Sequence, residues 1–383
     1  MGRIGVKSCA VVITVMAKKI FFSYGTVGLM GKDAYTAASR FLDEYYRIGP
    51  PDVLYKYDPY VGKLKDEVAT LLNCDASEVT YIKNTTEGTH IATEALPLKN
   101  GDEVLILGNE YPASMLSWLK KKKDGIDLKI IPGRDSAKTF DVLIENIGPK
   151  TKVVAVSWAQ HYDGYITDLD RLSYICQKRG IYFIVDAVQG IGIRELDLNK
   201  TRVDILMCGA QKYLGCIMGI GFIYVNKELM PFLKDTKVGI RSMIKFDESA
   251  YELKNTAARF EDGTQNLIGI VALHAAVKYI NKIGIRNIEQ KNIKLLEIFK
   301  EILRKNNIPF IDHKRQSNII SLRIYDPMGF TKFLAEQNIY IKPIKDVARI
   351  SFKHTSSVAD FRVVVAKTRE WLLKYPNKEN LVY

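Results

Sequence analysis

A lysine lies in an apolar, glycine-flanked turn, an unusual place for a solvated side chain. Residues 207–215 read MCGAQKYLG, with Lys212 directly after the apolar run VDILMCG. A single lysine is more often a surface residue whose stem lies along apolar neighbours. The small residues Gly209 and Gly215 on either side instead indicate that another group approaches the backbone closely. A lysine in such a desolvated place has a lowered pKa and can form a Schiff base.

Asp186 has a comparable position, at the end of the apolar run IYFIVDA. An ionised carboxylate is costly to bury unless it has a partner. Taken alone, Asp186 is equally consistent with a helix cap or structural hydrogen bond and with a catalytic role. Thr85 and Thr86 follow another strand-like run, VTYIK, and open a helix-like segment.

These residue types together suit one kind of ligand. A helix N-terminus with hydroxyl groups binds phosphate. A lysine forms a Schiff base with an aldehyde. An aspartate can hold a heteroaromatic nitrogen protonated, which makes the ring an electron sink. The combination predicts pyridoxal phosphate as the cofactor.

The chain alternates helix-like and strand-like segments from about residue 60. Six short apolar runs are bounded by glycine or polar turns: EVLILG, LKIIPG, KVVAVSW, IYFIVDA, VDILMCG and GFIYV. Such runs between helices predict a mostly parallel sheet covered on both faces. Ligands of such sheets bind beyond the carboxyl ends of the strands. The candidates there are Asn84, Thr85, Thr86, Glu110, Tyr111, Gln160, His161, Asp186, Gln189, Gln211 and Lys212.

The pattern changes after about residue 245. Residues 246–266 are polar and predict a loop, and a long helix is predicted from Leu267 through Leu303. The strand-like pieces NIISLRI and VARISF and a closing helix follow. We predict an N-terminal extension over residues 1–15, an N-terminal segment over 16–30, a large domain over 31–245 and a small C-terminal α/β domain over 246–383.

Composition excludes several other classes of protein. The formal net charge of +13 is spread along the chain without a nucleic-acid-binding motif, which favours a solvated basic surface and predicts no nucleic-acid partner. Five cysteines without a CxxC pair fit a reducing cytoplasm, and five histidines without HxxxH spacing predict no metal site. The N-terminal apolar run superficially resembles a secretory signal but is too short to span a bilayer, and no later segment predicts a membrane span.

Several motifs together resemble the class V aminotransferases, a group of fold type I pyridoxal-phosphate enzymes that includes cysteine desulfurases, isopenicillin N epimerase-like proteins and alanine-glyoxylate aminotransferases. The resemblance covers nearly everything from Ile20 onward. It is carried, in order, by NTTEGTHIATEAL, NEYPASMLSW, SWAQHYDGYITDL, VDAVQGIGIRELDL, CGAQKYLGCIMGIGFIYV, RFEDGTQNLIGIVALHAAVKYI and ARISFKHTSSVADF. It implies a large domain with a mostly parallel seven-stranded sheet between helices, a smaller C-terminal α/β domain and a homodimer with shared active sites.

The resemblance also implies roles for the residues around the cofactor. Lys212 would form the Schiff base and move the proton of the substrate α-carbon, and Asp186 would pair with the ring nitrogen. Gln189 would bind near the ring hydroxyl. The other cofactor-binding positions implied are Thr85 and Thr86 at the phosphate, Tyr111 stacked on the ring, Gln160 at the ring hydroxyl or substrate, and Gln211.

Two further roles lie outside the predicted large sheet. Thr264 would complete the phosphate site across the dimer interface, and Arg349 would clamp the substrate α-carboxylate, a task suited to a bidentate guanidinium. His161 is consistent with pocket lining and with packing, whereas His90 is interpreted as structural. The chain departs from the family in having Gly209 where many relatives have serine or threonine, Gln211 where histidine is common, and tyrosine rather than histidine at 111.

The reaction is less constrained than the cofactor. Desulfurases use a mobile cysteine shortly before the carboxylate-binding arginine, and no cysteine occurs between Ser317 and Arg349. Transamination needs only reprotonation by the same lysine, so we expect an aminotransferase acting on a small amino acid and a 2-keto acid. The alternatives are a cysteine desulfurase-like or other amino-acid lyase, an isopenicillin N epimerase-like epimerase, and a scaffold protein with a degenerate site.

Overall fold

The structure, a computed structural model, describes residues 19–375. Its strands are β1 (Ile20–Phe21), β2 (Val79–Ile82), β3 (Glu103–Leu107), β4 (Asp127–Ile131), β5 (Thr151–Ser157), β6 (Tyr182–Asp186), β7 (Ile205–Gly209), β8 (Gly221–Val225), β9 (Met243–Phe246), β10 (Tyr251–Leu253), β11 (Ile319–Leu322), β12 (Ile339–Tyr340), β13 (Lys342–Ile344) and β14 (Val347–Ser351). Its helices are α1 (Lys32–Ile48), α2 (Pro50–Tyr57), α3 (Tyr60–Leu72), α4 (Thr85–Ala95), α5 (Pro112–Lys122), α6 (Ser136–Asn146), α7 (Leu169–Arg179), α8 (Leu267–Ile283), α9 (Ile285–Lys305), α10 (Pro327–Ala335) and α11 (Val358–Lys374). The predicted extension over residues 1–15 lies outside the described residues.

A seven-stranded sheet in the order β2-β8-β7-β6-β5-β3-β4 forms the centre of the larger part. Strands β3 to β7 are parallel, and β8 runs antiparallel to its neighbours β2 and β7. Alternate side chains enter two hydrophobic clusters: Leu206 of β7 belongs to one cluster and Met207 to the other. Apolar side chains occupy both faces of the sheet because helices cover both of them. The predicted mostly parallel seven-stranded sheet is confirmed.

The parallel strands bring their ends to one edge. Ser157 at the end of β5 pairs with Asp186 at the end of β6, and Asp186 pairs with Met207 of β7. Because parallel strands share a direction, the residues that follow these strands meet at the same edge. This edge positions the candidate site.

The smaller part contains the sheet β11-β14-β13 covered by α9 and α11, and the predicted strands NIISLRI and VARISF are its β11 and β14. The N-terminal segment completes it. Phe22 is buried in the same hydrophobic cluster, its carbonyl accepts a bond from Ser351 N at 2.7 Å, and β1 pairs with β12. Helix α8 packs in the cluster of the large sheet, and the domain boundaries proposed above stay a prediction.

Two local expectations were wrong. The long helix predicted from Leu267 through Leu303 is broken at Gly284, whose φ of 86° ends α8 and begins α9 at an angle of 78°. A glycine adopts this left-handed conformation without the steric penalty of a side chain. The region predicted as a polar loop contains β10, which forms an antiparallel hairpin with β9. Among residues 19–375, no single helix is long and apolar enough to cross a membrane, and only the bent pair α8 and α9 passes that test jointly.

Candidate active site

Asp186 is a buried carboxyl group fixed at the end of β6, with 8% of its surface exposed. Its Oδ1 accepts a hydrogen bond from Val188 N at 3.0 Å, and its Oδ2 accepts one from the Ser114 hydroxyl at 3.3 Å. Burial raises the pKa of Asp186, and the charge of Lys212 opposes the rise. The site therefore has a preoriented carboxyl group that a cationic or N–H donor would stabilise.

Lys212 follows β7 and is half-buried in the turn after that strand. Burial lowers its pKa to about 8, with Asp186 opposing this shift and Arg349 adding to it. A lysine with this pKa is partly an uncharged amine near neutral pH, the form that attacks an aldehyde. Its Nζ lies 5.9 Å from the centre of the Tyr111 ring.

The small residues around Lys212 make room for the N-terminal segment. Gly28 N donates to the carbonyl of Gln211 at 2.7 Å, and a Cβ on Gly28 would lie 2.2 Å from the Lys212 carbonyl oxygen. Gly31 N donates to the carbonyl of Gly215 at 2.8 Å, and Gly215 has a φ of 65°. The sequence predicted that another group approaches the backbone around Lys212 closely, and the N-terminal segment of the same chain is one such group.

The N-terminus of α4 is the place where the cofactor phosphate is predicted to bind. Asn84 caps this helix by accepting from Glu87 N at 2.9 Å, and the first N–H groups of a helix have no acceptor within it. Thr85 and Thr86 lie in this first turn, where helix geometry favours an anion. The Thr85 hydroxyl also accepts from Gly209 N at 3.0 Å, which ties the helix start to the end of β7.

Gly209 stands where the family resemblance implies a hydroxyl residue, and the structure gives a steric reason for the glycine. A Cβ at this position would lie 2.6 Å from Gln211 Oε1 and 3.2 Å from Thr85 Oγ1. These two side chains already occupy the space that a serine would use. The hydroxyl next to Gly209 is therefore that of Thr85.

Two buried glutamines present unpaired oxygens. Gln189 Nε2 donates to the carbonyl of Gly25 at 2.8 Å, and Gln160 Nε2 donates to Glu110 Oε1 at 3.0 Å. The Oε1 atoms of both amides are buried without a hydrogen-bond partner. Buried polar atoms are rarely left unpaired, so these oxygens indicate a place where a ligand supplies donors.

Arg349 lies on β14 and is held by two segments far away in sequence. Its Nη1 donates to the carbonyl of His161 at 2.8 Å and its Nη2 to the Thr26 hydroxyl at 2.7 Å, while its Nε is buried without a partner. Burial lowers its pKa to about 10, so it stays charged at neutral pH. A buried, positioned cation with an unpaired N–H is suited to binding a carboxylate.

Tyr111 and His161 lie at the mouth of the site. Their rings meet edge to face, with centres 5.5 Å apart and planes at 89°. Tyr111 is 52% exposed, and burial lowers the pKa of His161 to about 4, with Arg349 and Lys212 adding to the shift. His161 is therefore neutral at physiological pH. The stacking of Tyr111 on a cofactor ring stays a prediction, and His90 is exposed on α4.

Thr264 is separate from these groups. It is exposed on the loop that precedes α8. Among residues 19–375, no hydrogen bond or ring contact joins it to the predicted site residues of its own chain. Its contribution to a neighbouring subunit stays a prediction.

The four cysteines within residues 19–375 show no sign of a reactive thiol. Cys176, Cys208 and Cys216 are buried, and Cys74 is half-buried. Burial raises the pKa of all four thiols, to about 12 for Cys74, Cys176 and Cys216. A nucleophilic cysteine needs a lowered pKa. Cys9 lies outside the described residues.

The site fits pyridoxal phosphate on its own chemistry. Its amine of lowered pKa suits the aldehyde of that molecule, and its fixed carboxyl group suits the ring nitrogen. The helix N-terminus suits the phosphate, and the two buried oxygens without hydrogen-bond partners suit the polar substituents of the ring. Sequence reasoning assigned no role to Glu110, Ser114, Gly25 or Thr26. The position of Glu110 after a strand end could have marked it as a site residue. No local pattern marks Thr26, because its partner Arg349 is distant in the sequence.

Comparison with known proteins identifies the family of this chain. The model of the family "Aminotransferase class-V" matches residues 58–366. A probable cysteine desulfurase of Pyrococcus abyssi is 29% identical over 283 residues, covering 72% of this chain and 71% of that protein.

Two solved structures share the fold. The apo cysteine desulfurase of Thermococcus onnurineus NA1 superimposes with a TM-score of 0.83 at 23% identity, over 93% of this chain and 95% of that one. A structure of the cystine C-S lyase C-DES with its product cysteine persulfide gives a TM-score of 0.85 at 21% identity, over 93% of this chain and 99% of that one.

Proposed function

Because the chain belongs to the class V aminotransferase family and is a pyridoxal-phosphate-dependent enzyme, we propose that it breaks the Cβ–S bond of a cysteine-derived amino acid by elimination. The names of the relatives support the cysteine desulfurase-like and lyase alternative better than the aminotransferase expected from the sequence. The sulfur would leave into solution rather than onto a cysteine of the enzyme.

One observation supports release into solution: the segment before Arg349 is a tight hairpin without cysteine. Strands β13 and β14 pair from Lys342 to Ile344, so that Lys345 and Asp346 form a two-residue turn. The Tyr162 hydroxyl donates to Asp346 Oδ1 at 2.8 Å and anchors this turn. A desulfurase-type mobile loop has no room in so short a connection.

Some residues of the site would hold the cofactor and the substrate, and Lys212 would transfer the proton. The cofactor supplies an electron sink for the substrate α-carbon. Asp186 would stabilise a proton on the ring nitrogen of the cofactor, and Arg349 would bind the α-carboxylate and so orient the Cα–H bond. The Lys212 amine would accept the α-proton. The neutral His161, whose ring meets Tyr111 and whose carbonyl accepts from Arg349, would line the place where a substrate side chain extends.

The elimination balances without an added oxidant or reductant. The Cα–H and Cβ–S bonds break, the α-proton goes to Lys212, and the sulfur leaves with the electron pair of the Cβ–S bond and takes up a proton. Hydrolysis of the remaining unsaturated amine gives pyruvate and ammonium. L-cysteine thus yields sulfide, and L-cystine yields cysteine persulfide.

The test is a product assay with the holoenzyme. It would be incubated with L-cysteine, with L-cystine, and with L-alanine plus a 2-keto acid, and sulfide, persulfide, pyruvate, alanine and new amino acid would be measured separately. We expect pyruvate in equal amount to the released sulfur compound. A Cys9→Ser/Cys74→Ser variant should keep this activity, because no enzyme thiol takes part.

Other products would contradict this proposal and support a different reaction. Alanine formed from cysteine, with activity lost in the cysteine variant, would indicate a desulfurase that uses a protein persulfide. A new amino acid formed only with the keto acid would indicate an aminotransferase. No turnover by a protein that binds the cofactor would support a scaffold role.

We also propose that the active form is a homodimer in which Thr264 completes the neighbouring phosphate site. Its exposure on the loop before α8 leaves it available to a second copy. Mixing inactive Lys212→Ala and Thr264→Ala/Thr86→Ala subunits under exchange conditions should restore part of the activity. An active species that sediments as a monomer would contradict this arrangement.

A further inference from the structure

Glu110 is a buried carboxyl group that none of the steps above uses. It follows β3 and is 6% exposed. Its Oε1 accepts from Ser157 N at 2.8 Å, and its Oε2 accepts from the Ser157 hydroxyl. Two bonds from one residue at the end of β5 fix the plane of the carboxylate. Burial raises its pKa to about 7, and the nearby charge of Asp186 adds to the rise.

A third hydrogen bond connects this carboxylate to Gln160. An amide side chain has a donor end and an acceptor end. Because Gln160 Nε2 donates to Glu110 Oε1 at 3.0 Å, Gln160 Oε1 is turned to the other side, where it is buried without a partner. Turning the amide over would bring its oxygen against the carboxylate oxygen, which is unfavourable while Glu110 is ionised. Glu110 thus fixes which end of the amide is available to a ligand.

We propose that Glu110 is a positioning residue that acts through Gln160 and gives the cofactor site a hydrogen-bond acceptor at that point. The bound molecule must then offer an O–H or N–H group to Gln160 Oε1. Gln189 offers a second acceptor, but a neutral carbonyl of Gly25 rather than a charge holds its amide. The proposal depends on cofactor binding and not on which substrate bond is broken.

The first test is a double-mutant cycle with Glu110→Leu and Gln160→Leu. The dissociation constant of pyridoxal phosphate for the apoenzyme would be measured by quenching of tryptophan fluorescence at about pH 8, where Glu110 is mostly ionised. Each single variant should weaken binding about tenfold, the effect of one lost hydrogen bond to a buried group. The double variant should be no weaker than Gln160→Leu, because Glu110 acts only through that residue.

Glu110→Gln is the matched control. It removes the charge but keeps an Oε1 that can accept from both Ser157 N and Gln160 Nε2, so the dissociation constant should stay within about twofold of wild type. Additive losses in the double variant, equal losses in Glu110→Gln and Glu110→Leu, or unchanged binding in Glu110→Leu would each overturn the proposal.

A second set of variants covers the case in which Glu110→Leu does not fold. Gln160→Glu places two carboxylates side by side and should weaken binding by more than tenfold. Gln160→Leu, which carries no charge, is its control in the same assay. A loss in Gln160→Glu no larger than that in Gln160→Leu, in proteins whose apo melting temperatures match, would overturn the proposal. Sulfur release has no part in these measurements.

Discussion

The two ends of the site are built differently. At the cofactor end, Asp186, Lys212 and Thr85 each follow or adjoin a strand of the same sheet, and neighbouring backbone holds them. At the carboxylate end, Arg349 is held by Thr26 and by the carbonyl of His161, 323 and 188 residues away in sequence. The cofactor end depends on one sheet, whereas the carboxylate end depends on correct docking of three segments. Substitutions at the cofactor end should therefore weaken cofactor binding, whereas substitutions at the carboxylate end should weaken substrate binding.

The largest effect is expected from Lys212→Ala. Loss of this amine removes both the covalent attachment and the acceptor of the α-proton, so turnover should fall by about 10²–10⁴-fold or more. Borohydride should no longer attach the cofactor to the protein, as judged by mass spectrometry. Lys353→Ala is the control, because Lys353 also has a pKa lowered by burial. Cofactor attachment that persists in Lys212→Ala would contradict the assignment.

Arg349→Ala should separate the two ends. Removing the guanidinium should raise KM for the amino acid by about a hundredfold, the value of a charge-assisted pair, with cofactor affinity nearly unchanged. Thr26→Val removes only the bond to Nη2, and its KM should rise by about tenfold or less. Titration of substrate and of cofactor against each variant measures both effects. Equal losses of the two affinities would show that the ends are not independent.

Gly209→Ala should weaken the cofactor end alone. The new Cβ would push against Gln211 Oε1 and Thr85 Oγ1, and displacement of the helix start should raise the dissociation constant of pyridoxal phosphate about tenfold. Equilibrium dialysis checks this value. Gly219→Ala in the same assay serves as a comparison, because a Cβ there meets no neighbouring atom within 4 Å, although its φ of 83° adds backbone strain.

The pH dependence of cofactor capture should follow Lys212. Its pKa is lowered to about 8, so the reactive amine increases as pH rises and is nearly complete above that value. Stopped-flow measurement of capture by the apoenzyme should give a rate that climbs through pH 8 and then levels. A midpoint near 10.5, the ordinary value of lysine, would contradict burial of this side chain.

The smallest effect concerns His161 and stability. Its folded-state pKa is about 4 and its ordinary value is 6.5, so the unfolded chain binds the proton first. The stability that His161 contributes is therefore complete above pH 6.5 and is lost as pH falls toward 4. Urea unfolding at both ends of this interval should show a loss that is smaller in His161→Asn by about 1 kcal/mol, which is less than the full pKa shift implies because His161 is only half-buried and solvent screens its charge. An equal loss in that variant would contradict it.

Much of the fold could be predicted because it depends on patterns of neighbouring residues in the sequence. Each strand of the large sheet is a short apolar run, and its helices lie between these runs, which is why the positions of Asp186, Gln189 and Lys212 at one edge could be inferred. The break at Gly284 was missed because apolar spacing continues on both sides of it. Only the conformation of one residue separates α8 from α9.

The rest required three-dimensional contacts. Nothing in the residues near Thr26 marks it as a support for Arg349, because the bond spans 323 residues. The role of Glu110 depends on which atom of Gln160 it meets, and the residue type alone does not determine this. No pattern in the sequence marks Gly28, although its lack of a Cβ lets the backbone lie on the carbonyl of Lys212.

The docking of the N-terminal segment also sets an order of events during synthesis. Ile20, Phe22 and Gly28 leave the ribosome before every other described part of the site. Their partners, β12 for Ile20 and Ser351 for Phe22, emerge long after them. We expect the nascent chain to complete its large sheet while this first segment is still unattached. The carboxylate end of the site should then be completed only after Arg349 has emerged and bound Thr26.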